Sequence, residues 1–260
     1  MKQTILLAAA SQAKLIPLLE MTEGMLHSYF QKYYKVCYLQ HFFKSRKAYA
    51  GVTEEDGLTD LVSQVENEMR IEKYAREKSY SIDFLRNMED DASIIAQSSV
   101  ADLLVIDLSE EEDKGMHNLI SKTIQLSSCP VLLLPEFANV ACIVAAHDAS
   151  QATVKMMKGF IKLFGVQLRD LPLSLLMTDP SNELEIQRER VFVNYLKLYF
   201  NNIGAQHMYD DALPSLFQYV QNECEHPLLM MNEELGMEII GSAEMMEAQV
   251  LKHPIFIFKD

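Results

Sequence analysis

Short apolar runs alternate with longer stretches of helical period along the whole chain. Residues 4–10 are short, apolar and without helical period, so they predict a strand; 14–30 predict a helix. The order continues as strand 35–42, long helix 58–78, strand 80–85, short helix 90–97, strand 103–106, helix 118–127 and strand 131–134. In the long helix, Leu58, Leu61, Val62, Val65, Met69 and Tyr74 predict the inward stripe. Past residue 140 the order starts again: strand 142–146, helix 152–164, strand 173–177, helix 183–202, strand 205–209, helix 213–221, strand 228–231, helix 243–250 and strand 255–258. Gly165 and Gly204 sit at or just past two predicted helix ends, where glycine tolerates the left-handed backbone of a C-terminal cap. Strands alternating with helices predict a mostly parallel sheet covered on both faces.

The recurrence goes beyond rhythm. Residues 101–107 read ADLLVID and residues 226–232 read HPLLMMN, in equivalent places. Each is followed by a helix and then by a strand entered through proline, CPVLLL at 129–134 and HPIFIF at 253–258. Pro130 and Pro254 stand at strand entry, where a missing N–H donor is tolerated. The pattern predicts two like domains, 1–136 and 137–260, joined without a Gly/Ser tether and therefore packed together. Both last strands are almost wholly apolar, and an uncovered apolar edge templates association, so the two are expected to pair.

The repeat settles an ambiguity at the N-terminus. MKQTILLAAASQA has the lysine, apolar core and small residues of a secretory signal, but 5–10 is a short core. Its counterpart ACIVAAHDAS is internal, so the opening segment is read as a strand. A net charge of −14 excludes a general nucleic-acid binder and disfavours an anionic membrane surface. No apolar run approaches the ~20 residues of a membrane span. Cys37, Cys129, Cys142 and Cys224 contain no CxxC pair and are too sparse for a disulfide scaffold, which points to a reducing cytoplasm.

Taken together, Ile143-Val144-Ala145-Ala146-His147-Asp148-Ala149-Ser150, Ala101-Asp102-Leu103-Leu104-Val105-Ile106-Asp107 and Cys129-Pro130-Val131-Leu132 resemble the first, fourth and last strands of the universal stress protein family. The resemblance spans essentially all 260 residues and is to the tandem two-domain form. It implies two Rossmann-like or flavodoxin-like α/β domains, each with a five-stranded, mostly parallel sheet, arranged as an internal pseudo-dimer through the last strands. A further homodimer is neither required nor excluded by that arrangement.

The resemblance also implies where a nucleotide site belongs. Members that bind ATP carry Gly-x2-Gly-x9-Gly-Ser/Thr after the fourth strand and an Asp after the first; the glycines let backbone N–H groups close on phosphate. In the first half Asp107 holds the first glycine slot and Glu110, Glu111, Glu112 and Asp113 follow, so the region is read as a solvated acidic loop that repels phosphate. The first strand ends in Ala9-Ala10-Ser11 with no Asp. In the second half Asp148 and Ser150 match the first-strand pair, Asn232 holds the first glycine slot, and Gly241-Ser242 matches the final Gly–Ser before a helix. These five are the candidate ligand residues, either for a small anion at a helix start or as an ordinary helix cap.

Other chemistry is thinner. No HExxH, zinc spacing, nucleophile elbow or Walker loop occurs, and neighbouring side chains such as Cys224-Glu225-His226 seldom converge on one ion. His147 beside Asp148 is read as an ordinary strand-end histidine. Asp148 and Asp179 lie at strand ends without the lysine that a phosphoacceptor module needs. The methionines, among them Met230 and Met231, read as adaptable core filler. The leading expectation is a non-enzymatic cytoplasmic stress-associated scaffold or small-ligand sensor without conventional ATP binding or a required cofactor. Two alternatives stand beside it: AMP or ATP with magnesium bound, or weakly hydrolysed, in the second domain, and a protein-interaction module indifferent to nucleotide.

Overall fold

A computed structural model describes residues 2–26, 28, 30–39, 54–86, 88, 90–109, 114–147, 150–178, 180, 182–208, 212–241 and 250–259. The described residues form one ten-stranded mixed sheet with helices on both faces. The strands are β1 (Lys2–Ala9), β2 (Gln31–Tyr38), β3 (Ser81–Phe84), β4 (Leu103–Asp107), β5 (Val131–Leu134), β6 (Cys142–His147), β7 (Leu173–Thr178), β8 (Ile203–Met208), β9 (Pro227–Asn232) and β10 (Ile255–Phe258). The helices are α1 (Leu15–Met25), α2 (Glu54–Glu77), α3 (Asp91–Ser98), α4 (Lys114–Leu126), α5 (Gln151–Phe164), α6 (Glu183–Leu196), α7 (Ala212–Glu223) and α8 (Glu233–Gly241).

Across the sheet the order is β3-β2-β1-β4-β5-β10-β9-β6-β7-β8, so the first five strands fill one end and the last five the other. All neighbours are parallel except β5 and β10, which meet antiparallel with Phe256 opposite Leu132. The pairing of the two apolar last strands thus covers both edges that would otherwise invite association. The segment with signal-like character is β1, a fully paired central strand between β2 and β4.

Alternate residues of each strand feed two cores. Ile5, Leu7, Val105, Ile143, Met230 and Phe256 face one side, under α1, α5 and α6; Leu6, Ile106, Val144, Met231 and Ile257 face the other, under α3, α4, α7 and α8. Phe160 and Phe164 of α5 each meet the ring of Phe256 edge-on at 5.4 Å, which fastens the second end of the sheet to its middle. Gly236 in α8 lies so near Ile257 that a Cβ there would be 3.0 Å from its methyl groups, so glycine sets the close approach of α8 to β10.

Several expectations are corrected. In α2, Val65 and Met69 do not face the core; they are 49% and 57% exposed. Among the described side chains of this helix the buried ones are Glu68, Ile71 and Ala75, and Glu68 is matched by Arg86 at 2.7 Å. The side chains of Leu58, Leu61 and Val62 lie outside the described residues. Strand β2 starts at Gln31 rather than 35, α6 ends at Leu196 rather than 202, and Gly204 lies inside β8. Gly165 does close α5, with φ 53°. Strand β9 runs straight into α8, Glu233–Gly241, where no helix was expected; of the helix expected at 243–250, residues 243–249 lie outside the described residues. Finally, Cys142 at the start of β6 and Cys224 just after α7 form a disulfide, whereas Cys37 and Cys129 are free and buried. Their sequence separation of 82 hid the pair from any local motif. Among the described residues no helix is long and apolar enough to cross a membrane.

Candidate functional site

In an open parallel sheet the carboxyl ends of the strands collect ligand-binding groups. This chain has two such places, beyond β1 and β4 and beyond β6 and β9.

At the first, Asp107 is only 2% exposed and is not part of a solvated loop. One carboxylate oxygen accepts the Ala10 N–H at 3.0 Å, and the other accepts the Ser109 N–H at 2.9 Å. Ala10 follows β1, so this carboxylate ties the end of β1 to the end of β4. Asp102 does the same at the other end of the ladder, accepting the Thr4 N–H at 2.9 Å. Two acids therefore frame β4 and satisfy backbone donors that no strand partner reaches. The backbone donors next to the first glycine slot already hold an anion, and that anion belongs to the protein. Glu110, Glu111, Glu112 and Asp113 lie outside the described residues.

At the second place, Ser150 is the N-cap of α5, its hydroxyl accepting the Thr153 N–H at 3.3 Å. Asn232 ends β9 and accepts the Leu235 N–H at 3.0 Å, so it caps α8, which begins at the next residue. No loop separates strand from helix here. Glu233 and Glu234 occupy the first turn, where acids complement the helix dipole, and Glu233 pairs with Lys259 at 2.6 Å. Lys259 also donates to the carbonyls of Ile124 and Gln125 at the end of α4, at 2.6 and 3.0 Å, binding the two ends of the sheet together.

Ser150 and Asn232 thus lie at the same edge of neighbouring strands, whereas Gly241 does not join them. It is the last residue of α8, and a helix of that length carries it about 13 Å from the strand ends. Gly241 is helical and is the last described residue of α8; Ser242 and the positions after it, where the helix entrance was expected, lie outside the described residues. Asp148 and Ser242 lie outside the described residues.

Sequence reasoning missed a further feature. Helices α5 and α6 leave a groove of about 670 Å³ between them, running from Ser150 along Val154 to Lys158 on one side and along Leu184, Arg188, Val191 and Tyr195 on the other. Lys158 Nζ stands 6.0 Å from the Tyr195 ring centre. Burial, then the hydroxyl and charge of Tyr199, raise the Tyr195 pKa above its ordinary value. The seven-residue spacing of Leu184, Val191 and Leu198 was the available signal, but it reads equally well as a buried stripe.

At the opposite edge of the sheet His253 has its pKa lowered, first by burial and then by the charge of His226. His226 adopts φ 54° and its carbonyl accepts the Ala141 N–H at 3.0 Å. Cys224 of the Cys224-Glu225-His226 cluster is engaged by Cys142, and among the described residues no three His, Cys, Asp or Glu side chains are placed to hold a metal ion.

No protein-family model matches the sequence, and no curated protein matches it. Solved structures do. A universal stress protein from Archaeoglobus fulgidus DSM 4304 superposes with a TM-score of 0.66 at 12% identity, covering 98% of this chain and 96% of that one. The cytoplasmic domain of a prokaryotic cation chloride cotransporter superposes with a TM-score of 0.55 at 11% identity, covering 100% of this chain and 96% of its own. The α/β fold resembles that of a universal stress protein over nearly the full length of both chains.

Proposed function

We propose that the protein is a non-enzymatic scaffold or small-ligand sensor, built as two universal-stress-protein-like units, 1–136 and 137–260, in which the conventional ATP site has been closed from within. Two observations support the two units: the halves repeat one strand order outward from the β5–β10 junction, and that junction is antiparallel. The loss of nucleotide binding rests on Asp107. Its buried carboxylate engages the donors next to the first glycine slot, and an incoming phosphate meets both occupied N–H groups and like charge. In the second unit Asn232 and the acidic first turn of α8 fill the corresponding space.

Titration calorimetry of the whole chain with ATP or AMP and magnesium tests the reading. No saturable binding in the micromolar range is expected. Micromolar affinity that Asp148→Ala abolishes would overturn it in favour of a nucleotide site at Asp148, Ser150, Asn232, Gly241 and Ser242.

A further inference from the structure

We infer that the groove between α5 and α6 binds a medium-chain carboxylate amphiphile, with the alkyl chain against Val154, Val191, Phe192 and Tyr195 and the carboxylate taken by Lys158 and Arg188. This goes beyond the proposed loss of nucleotide binding and does not depend on it, because the groove runs along the helix flanks and, among the described residues, meets the strand ends at Ser150.

Three observations carry the assignment. The groove, at about 670 Å³, falls in the range of small-ligand sites, which are mostly apolar with a few polar groups, and it has that lining. Its rim is costly to leave bare: Leu184 is 56% exposed and Val191 is 71% exposed. The charge is also out of character. On a chain of net charge −14, α5 carries Lys155, Lys158 and Lys162 with no acid, and among the described residues no Asp or Glu lines the groove. Among the described residues neither Lys158 nor Arg188 pairs with a carboxylate. Two unneutralised cations at the edge of an apolar trough complement a ligand with one anionic end and an otherwise apolar body.

The same lining argues against other occupants. A nucleotide would set its sugar hydroxyls and base edge against valine and leucine, leaving them unpaired. A peptide would bring a backbone donor and acceptor at each residue, and beside the two cations the described lining offers only Ser150, Gln151, Gln187 and the Tyr195 hydroxyl as polar partners.

The experiment is calorimetric titration of the full chain with sodium decanoate below its micelle concentration, with decanol as the uncharged counterpart. One saturable site per chain is expected, with decanol weaker by about tenfold or more, since a charge-assisted contact is lost. The double variant Lys158→Ala/Arg188→Ala should show a similar loss for decanoate and none for decanol. Val191→Asp, at an exposed position that leaves the core intact, should abolish both. Urea unfolding of each variant confirms that it is folded. Absence of saturable decanoate binding, equal affinity for decanol, or an unchanged double variant would overturn the inference. ATP binding alongside intact decanoate binding would instead sink the closed-site proposal and leave this groove standing.

Discussion

Removing the Asp107 carboxylate gives the sharpest test of how the first strand-end site is closed. Asp107→Ala deletes two buried or partly buried hydrogen bonds, to Ala10 N–H at 3.0 Å and Ser109 N–H at 2.9 Å. Each bond to a charged group contributes about 1.5–3 kcal/mol, so losing both should cost about 3–6 kcal/mol. For a chain of this size that corresponds to a fall in melting temperature of about 5–11 °C. Asp107→Asn keeps one acceptor oxygen but turns an N–H toward the second donor, so it should lose about half as much. Because the chain has no tryptophan, urea unfolding is best followed by circular dichroism or tyrosine fluorescence. The midpoint should move while the slope stays constant, since the same surface is exposed. If Asp107→Ala stays within about 0.5 kcal/mol of the parent, as a solvated surface residue would, the argument for an internal anion is refuted.

Two further outcomes concern the opposite edge of the sheet. Unfolded without reductant, the protein should show two reactive thiols, Cys37 and Cys129, rising to four after reduction, with stability falling by about 4–5 kcal/mol as the loop closed by Cys142–Cys224 is released; four thiols without reductant would remove the disulfide and favour a reducing setting. His253 has a folded pKa below its unfolded 6.5, so the unfolded chain binds the extra proton; the stabilisation is fully present above 6.5 and is lost as pH falls through the lowered value. His253→Gln should flatten that part of the stability–pH curve, and an unchanged slope would show that His253 is not its source.

The order of strands and helices was legible from the residues alone, because strands buried on both faces must be short apolar runs and the helices between them keep their own period. The limits of β5 and β10 fall where the runs VLLL and IFIF begin and end, and their shared apolar character was enough to expect that they pair. The repeat alone also marked the signal-like opening segment as a strand, and β1 occupies that place.

What the sequence could not determine was set by partners distant along the chain. The last turns of α2 bury Glu68, Ile71 and Ala75, and the partner that matches Glu68, Arg86, is invisible to a pattern that counts Val65 and Met69 as apolar. Asp107 looks like the first of a run of acids until β1 brings the Ala10 N–H to it from 97 residues away. Gly241 falls inside a helix that the local pattern did not predict, because α8 follows β9 without a loop, its first turn held by Asn232 and by Lys259 just past the last strand. The groove between α5 and α6 exists only as the space left when two helices, each readable alone, are laid on the same sheet face. Local periodicity reports which elements form, because each residue's burial follows the repeat of its own helix or strand. Long-range pairing decides which charges are buried, which donors are satisfied and where space remains, because those depend on atoms that the chain brings together only on folding.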